Sequence, residues 1–113
     1  MSQENKHLAI ETTDATFAAD ITTGVSLVDF WAVWCGPCQV MIPRMEELAW
    51  KIWNKAKIMK MDVDANMATP QSFWIRSIPT MILFKDGKPV EQFVGIQEVD
   101  FLVNKIEALV EDK

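Results

Sequence analysis

The chain has 113 residues, half of them hydrophobic, and a formal net charge of −5. This length is enough for one hydrophobic core, so residues 1–113 are predicted to form a single domain. Acidic and basic residues are interspersed, and the negative charge argues against nucleic-acid binding, which needs a basic face. The longest uninterrupted apolar run, Phe30 to Cys35, is far too short to span a membrane.

The first residues, Met1 to Lys6, lack the charged start and long apolar core of a signal peptide. We therefore expect a cytoplasmic protein, and a monomer is the default expectation. In the cytoplasm thiols are kept reduced, so a pair of cysteines there is more often catalytic than structural.

The hydrophobic pattern predicts alternating strands and helices. In chain order these are a strand at Leu8–Ile10, a helix at Asp14–Asp20, a strand at Val25–Ala32, a helix from Pro37, a strand at Ala56–Met61, a helix at Met67–Trp74, strands at Thr80–Phe84 and Pro89–Val94, and a closing helix at Val99–Val110. Phe17 and Ala18 are predicted to face the core from the first helix. Asp86 and Gly87 predict a tight turn between the last two strands. A parallel crossover unit joined to an antiparallel hairpin predicts a mixed sheet with helices on both faces.

Two cysteines lie three residues apart in the segment Trp34-Cys35-Gly36-Pro37-Cys38, where a buried strand ends and a helix begins. Side chains at that spacing on a first helical turn are neighbours, within reach of disulfide geometry. Pro37 suits the first helical position because its φ is already helical. The free N–H groups and positive field of a helix start stabilise a thiolate. Cys35 is therefore predicted to be the nucleophile, and Cys38, one turn further in, the more shielded thiol.

Other interpretations of the cysteine pair are weaker. A zinc site needs four ligands, whereas the chain has two cysteines and one histidine, His7, which is remote in sequence. No carboxylates with ligand-like spacing cluster near the pair. A purely structural disulfide is disfavoured because closing so short a loop constrains little unfolded-chain entropy. We expect no metal, and reversible dithiol–disulfide chemistry at Cys35 and Cys38.

Asp29 is an acidic residue in an otherwise apolar strand, six residues before Cys35. Burial there should raise its pKa, because the charged form loses its water. A buried acid at this place is a candidate proton acceptor for Cys38, directly or through a water. The alternative is a carboxylate at a solvated strand end.

The run from Val28 to Cys38, VDFWAVWCGPC, resembles the active-site signature of the thioredoxin family. Ile78-Pro79-Thr80 and Phe84-Lys85-Asp86-Gly87 resemble the second half of that family, in the family's order. The similarity extends from about Leu8 to Val110. It implies an α/β protein with the thioredoxin fold, a central mixed β-sheet of about five strands flanked by helices on both faces.

The resemblance also implies roles for individual residues. Asp29 matches the family's buried aspartate, and Lys60 matches the lysine that partners it from the adjacent strand. Ile78 and Pro79 match a cis-proline loop that faces the cysteines and pairs with an extended substrate segment. The implied apolar docking face comprises Trp34, Gly36, Pro37, Ile78, Pro79, Gly95 and Ile96.

Three residues depart from the family's pattern. Ile96 stands where a small residue usually follows the matching glycine, and Val33 and Gln39 occupy positions that often carry charge. These differences concern partner preference and leave the chemistry unchanged.

The activity implied by the resemblance is protein-disulfide reduction, a thiol–disulfide oxidoreductase reaction with a redox-active Cys35–Cys38 disulfide. A thioredoxin reductase drawing on NADPH would re-reduce the pair, and the chain has no nucleotide motif of its own, so no bound cofactor is expected. The implied clients include ribonucleotide reductase, peroxiredoxins and methionine sulfoxide reductases.

Two alternatives remain open at this point. An oxidant or isomerase of the same fold would need a higher reduction potential. Gly36-Pro37 between the cysteines matches the reducing branch, whereas the oxidising branches typically place a histidine there. A non-enzymatic binding subunit would use the apolar face for docking alone, and would not need Cys35 and Cys38.

Overall fold

The computed structural model describes residues 9–111. Its elements are β1 (Ile10–Glu11), α1 (Phe17–Asp20), β2 (Val25–Trp31), α2 (Gly36–Ile52), a 3₁₀ turn (Trp53–Lys55), β3 (Lys57–Asp62), α3 (Ala68–Ser72), β4 (Thr80–Lys85), β5 (Lys88–Val94) and α4 (Val99–Glu111). The five strands form one sheet in the order β1-β3-β2-β4-β5. Strand β3 pairs in parallel with both β1 and β2, and β4 pairs antiparallel with both β2 and β5. The predicted mixed sheet is confirmed.

The central strand β2 is buried on both faces because helices cover both sides of the sheet. Leu27 belongs to an apolar layer that contains Met41 of α2 and Leu102 of α4. Its neighbour Val28 points to the opposite layer, which contains Phe17 of α1. Alternate side chains of one strand thus fill two cores, which is why this strand reads as a continuous apolar run.

The predicted hairpin turn is confirmed. Asp86 and Gly87 have φ values of 49° and 85°, the positive pair that two-residue hairpin turns favour. The Asp86 carboxylate accepts a hydrogen bond from the Gly24 amide at 2.7 Å, and the Asp86 amide donates to the Gly24 carbonyl at 2.8 Å. The turn therefore also holds the loop that leads into β2.

The first helix is shorter than predicted. It spans Phe17–Asp20, and Thr13 stabilises the turn before it, accepting a hydrogen bond from the Thr16 amide at 3.3 Å. Phe17 is buried as expected, but Ala18 is exposed, so the prediction that it faces inward is wrong. A helix this short has one inward position per turn. The predicted start of β1 at Leu8 lies outside the described residues.

The third helix also ends earlier than predicted, at Ser72. Trp74 has a φ of 57°, which the α-helix does not accommodate, so the chain turns away there. Within residues 9–111, no helix is both long and apolar enough to cross a bilayer.

Candidate active site

The two cysteines lie at the start of α2, directly after the chain leaves β2. Cys35 is the N-cap residue, with an extended backbone (φ −88°, ψ 115°), and Pro37 lies in the first turn. The Cys38 amide donates a hydrogen bond to the Cys35 sulfur at 3.2 Å. The cysteines form a disulfide with their Cα atoms 5.3 Å apart. The predicted pairing and its helix-start position are both confirmed.

The two sulfurs differ in access. Cys35 is 4% exposed and Cys38 is 0% exposed. Although both values are small, only Cys35 has surface that an incoming disulfide can reach. The predicted order of shielding therefore holds.

Asp29 lies in β2, with Lys60 of β3 beside it in the sheet register. The residue is 3% exposed, and its Oδ1 atom is buried without a hydrogen-bond partner among the described residues. Desolvation raises the pKa of this carboxyl to about 7, although the positive charge of Lys60 opposes the shift. The Lys60 ammonium also lies 6.0 Å from the ring centroid of Trp31. The solvated-end alternative for Asp29 is therefore wrong.

Two further segments lie around Cys35: the Ile78–Pro79 segment contacts its sulfur, and the Gly95 segment is bonded to Pro79. The Ile78–Pro79 bond is cis, as the resemblance implied. The Ile78 carbonyl oxygen lies 3.7 Å from the Cys35 sulfur. The amide of Gly95, whose φ is 90°, donates to the Pro79 carbonyl at 2.8 Å. Three segments distant in sequence thus converge around the reactive sulfur.

The residues of the predicted docking face differ in exposure. Trp34 is 71% exposed and Ile96 is 47% exposed, and Gly36 and Pro37 are exposed as well. Ile78 and Gly95 are half-buried, and Pro79 is buried. Pro79 therefore shapes its loop and offers little surface of its own.

Sequence reasoning gave Asp64 no role near the cysteines, yet it bonds Trp34, a residue of the predicted docking face. The indole Nε1 of Trp34 donates to the Asp64 Oδ2 at 2.8 Å. This bond holds an exposed tryptophan beside the disulfide. Beside it lies an apolar cavity lined by Trp34, Val63, Pro70, Ile75, Arg76, Ser77 and Ile78. No local sequence signal could have found the contact, because the two partners are thirty residues apart.

A second contact that the sequence did not reveal ties the Gly95–Ile96 segment to α2. The Gln97 amide donates to the Met41 sulfur at 3.4 Å, and its carbonyl accepts from Arg44 Nη1 at 2.8 Å. Met41 and Arg44 are three residues apart and therefore share a helix face. The helix that carries both cysteines thus also positions the loop that carries Ile96.

In the part of the chain that the structure describes, no three His, Cys, Asp or Glu side chains cluster as metal ligands would. His7 lies outside the described residues.

The comparisons with known proteins agree with this geometry. The family model described as Thioredoxin matches residues 8–108. A thioredoxin from Staphylococcus saprophyticus is 50% identical over 98 residues, covering 87% of this chain and 94% of that protein. A thioredoxin from Staphylococcus haemolyticus is 48% identical over the same shares. A solved mutant thioredoxin from Halobacterium salinarum NRC-1 is 35% identical, with a TM-score of 0.87 over 96% of each chain.

The fold and the helix-start disulfide define a thiol–disulfide oxidoreductase with a redox-active cysteine pair. The chain belongs to the thioredoxin family. Its function is the protein-disulfide reduction of that family, with Cys35 and Cys38 as the redox pair.

The raised pKa of Asp29 predicts how stability depends on pH. An unperturbed aspartate has a pKa of 3.8, whereas the folded value is about 7. Between these values the folded state binds a proton that the unfolded state has lost, so stability falls as pH rises and the loss is complete above 7. The full effect is roughly 4 kcal/mol. Asp29→Asn should therefore stabilise the protein by about 2–4 kcal/mol at pH 8.5, and by almost nothing below pH 4.

Urea unfolding of the oxidised protein at several pH values measures this difference. Glu111→Gln is the matched control, because it neutralises an exposed carboxylate at the end of α4, outside the sheet. Its stability difference from wild type should stay within about 0.5 kcal/mol at every pH. A gain from Asp29→Asn that is as large at pH 4 as at pH 8.5 would contradict the burial argument.

Arg44 is predicted to affect the binding of protein substrates, because it holds the loop that carries Ile96 through the Gln97 carbonyl. Arg44→Gln should raise the KM for insulin roughly three- to tenfold with little change in kcat, because a charge-assisted hydrogen bond is lost. Insulin reduction with dithiothreitol as donor measures both constants. Glu98→Gln is the control, since it removes only the 3.6 Å ion pair with Arg44. Equal effects of the two variants would show that the Gln97 bond is not the cause.

Proposed function

We propose that Cys35 is the attacking thiolate and Cys38 the resolving thiol in the reduction of protein disulfides. The observation that carries this division of roles is the position of the Cys35 sulfur at the start of α2, where it accepts the Cys38 amide at 3.2 Å. An N–H donor and the positive helix end both favour a negative sulfur there. Cys38 lies one turn deeper and has no exposed surface.

The reaction follows in two displacements. The Cys35 thiolate attacks one sulfur of the client disulfide, the client S–S bond breaks, and the departing sulfur takes a proton from solvent. Cys38 then loses its proton and attacks the Cys35 sulfur, which breaks the mixed disulfide and releases the second client sulfur as a thiolate. That sulfur is protonated in turn. The client gains two electrons and two protons, and Cys35 and Cys38 become a disulfide.

Asp29 is the proposed acceptor of the Cys38 proton, directly or through a water. A base works best when its pKa is near the working pH, and the Asp29 pKa of about 7 meets that condition. Lys60 is the proposed partner that keeps part of the carboxyl population ionised, since its charge lowers the pKa that burial raises. Without that charge the carboxyl would hold its proton more firmly at neutral pH.

The docking face is proposed to receive an extended client segment around its disulfide. The Ile78 carbonyl lies 3.7 Å from the Cys35 sulfur, so backbone pairing at this loop would place a client chain over the nucleophile. Pairing of this kind recognises backbone and tolerates many side chains. Exposed apolar side chains at Trp34 and Ile96 would add contact area. Gly36, Pro37, Pro79 and Gly95 complete this proposed surface.

Turnover requires an electron source. The proposed source is a thioredoxin reductase supplied by NADPH, with clients of the ribonucleotide reductase, peroxiredoxin and methionine sulfoxide reductase classes. The proposed setting is the cytoplasm, where reduced thiols are maintained, and the proposed form is a monomer in which residues 1–113 act as one domain.

The assignment of roles predicts which cysteine variant traps a client. Cys38→Ser should accumulate a mixed disulfide with insulin, because the attack occurs and resolution cannot. Cys35→Ser should form little or none, since the remaining sulfur is shielded. Non-reducing electrophoresis and mass spectrometry of the quenched mixture measure the adduct. The double variant, Cys35→Ser with Cys38→Ser, controls for non-covalent association. More adduct with Cys35→Ser than with Cys38→Ser would reverse the assignment.

The role of Asp29 predicts a selective kinetic effect. Asp29→Asn should slow resolution of the mixed disulfide by about 10²-fold or more at pH 7, while the initial attack changes much less. Rapid-quench measurement of the mixed disulfide separates the two steps. Lys60→Met should shift the pH profile of resolution towards higher pH, because the opposing charge is removed. Equal slowing of both steps by Asp29→Asn would count against a proton-transfer role.

The same assays address the binding-subunit alternative. A docking protein without redox chemistry would keep its biological effect in the double cysteine variant. Failure of the wild-type protein to reduce insulin with either dithiothreitol or a thioredoxin reductase and NADPH would favour that reading. Failure with the reductase alone would point to a different electron donor.

A further inference from the structure

Trp74 has a backbone conformation that side chains rarely adopt. The Ile75 amide donates to the Pro70 carbonyl at 3.0 Å, and the Trp74 amide donates to the Gln71 carbonyl at 3.1 Å. This pair of bonds is a Schellman turn, which ends α3. Its left-handed position, with φ of 57°, is occupied by Trp74. Glycine usually fills that position because a Cβ atom is unfavourable there.

The indole of Trp74 contributes little to the core. It is 76% exposed, more than the other exposed large apolar side chains of the described chain. Its neighbours behave differently. The ring of Phe73 packs edge-on against Phe17 and Phe84, with centroids 5.7 and 5.5 Å away, and Ile75 packs against the same core layer. The segment is thus anchored on both sides of a tryptophan that projects into solvent from an unfavourable backbone.

We propose that Trp74 is a specificity-determining contact for client proteins, where its indole packs against a client residue several positions away from the disulfide under attack. This inference rests on the proposed docking face and extends it. Ile75, Arg76, Ser77 and Ile78 follow Trp74 directly and line the apolar cavity beside Trp34. The segment therefore leads from the tryptophan to the carbonyl that lies 3.7 Å from the Cys35 sulfur.

Distance supports this placement. Four residues span at most about 14 Å, so Trp74 lies no farther than that from Ile78 along the chain. An ordinary protein interface covers about 800 Å² of each partner, a patch roughly 30 Å across. A patch of that size centred on Ile78, whose carbonyl contacts Cys35, has a radius of about 15 Å and therefore reaches Trp74. Tryptophan is also the residue type most enriched among energetically dominant interface contacts.

The chemistry of this segment indicates which clients it favours. Arg76 is exposed and lines the same cavity, so an acidic client residue would find a charge partner there. Trp74 offers a flat apolar surface. The preferred client segment accordingly carries a large apolar residue and an acidic residue about four or five positions from its cysteine.

Two disulfide-linked peptides test the proposal, one with leucine and aspartate about four or five positions from the cysteine and one with serine and lysine at the same positions. The wild-type protein should reduce the first with a kcat/KM about tenfold higher. Trp74→Gly and Trp74→Asn should each lose most of this preference through a higher KM, and Trp74→Phe should retain about half of it. Trp74→Gly should also raise the Tm by about 2–5 °C, because glycine relieves the left-handed backbone.

Opposite changes in stability and client affinity separate a binding role from a structural one. A structural tryptophan would give a lower Tm and slower reduction of every disulfide, including cystamine, which is too small to reach Trp74. Trp50→Ala is the control, since it removes an exposed tryptophan near the C-terminal end of α2, whereas the cysteines lie at its N-terminal end. An unchanged KM in Trp74→Gly, with trapping by Cys38→Ser intact, would overturn this inference and leave the proposed function standing.

Discussion

The hydrogen bond from the Cys38 amide to the Cys35 sulfur is the contact on which the site depends. It exists because β2 ends and α2 begins within a few residues, so a helix N-terminus opens at the edge of a buried sheet. A free N–H group there needs an acceptor, and the Cys35 sulfur provides one. The disulfide bond between Cys35 and Cys38 fixes the spacing of the two sulfurs. The same sulfur therefore caps the start of α2 and belongs to the redox pair.

The sheet provides the buried acid Asp29, which lies in β2 and not at the start of α2. Because β2 is central and covered on both faces, Asp29 must lose its water, and its pKa rises to about 7. A carboxyl near an exposed edge would stay ionised and would destabilise nothing. The fold thus tolerates an unfavourable buried acid in the strand that leads to the cysteine pair, and proton transfer is the chemical use proposed for it.

The surface around Cys35 is assembled from segments that the chain brings together only after folding. The Gly95 amide binds the Pro79 carbonyl, and the Gln97 carbonyl binds Arg44 of α2. The loops of the proposed docking face are therefore bonded to each other and to α2. This arrangement explains how loops can present a defined surface although loops usually move more than the elements they connect.

The local sequence determined the elements, the cysteine pair and the buried acid, because hydrophobic period, turn residues and a short motif are all read within a few neighbouring residues. It was wrong at Ala18, which faces solvent because only one side of a one-turn helix meets the sheet. It was also wrong at the end of α3, where the left-handed Trp74 takes a position that glycine usually fills. Two further hydrogen bonds, Trp34 to Asp64 and Arg44 to the Gln97 carbonyl, join residues at least thirty positions apart. Such contacts depend on how helices and loops pack across the sheet, and no local pattern encodes that packing.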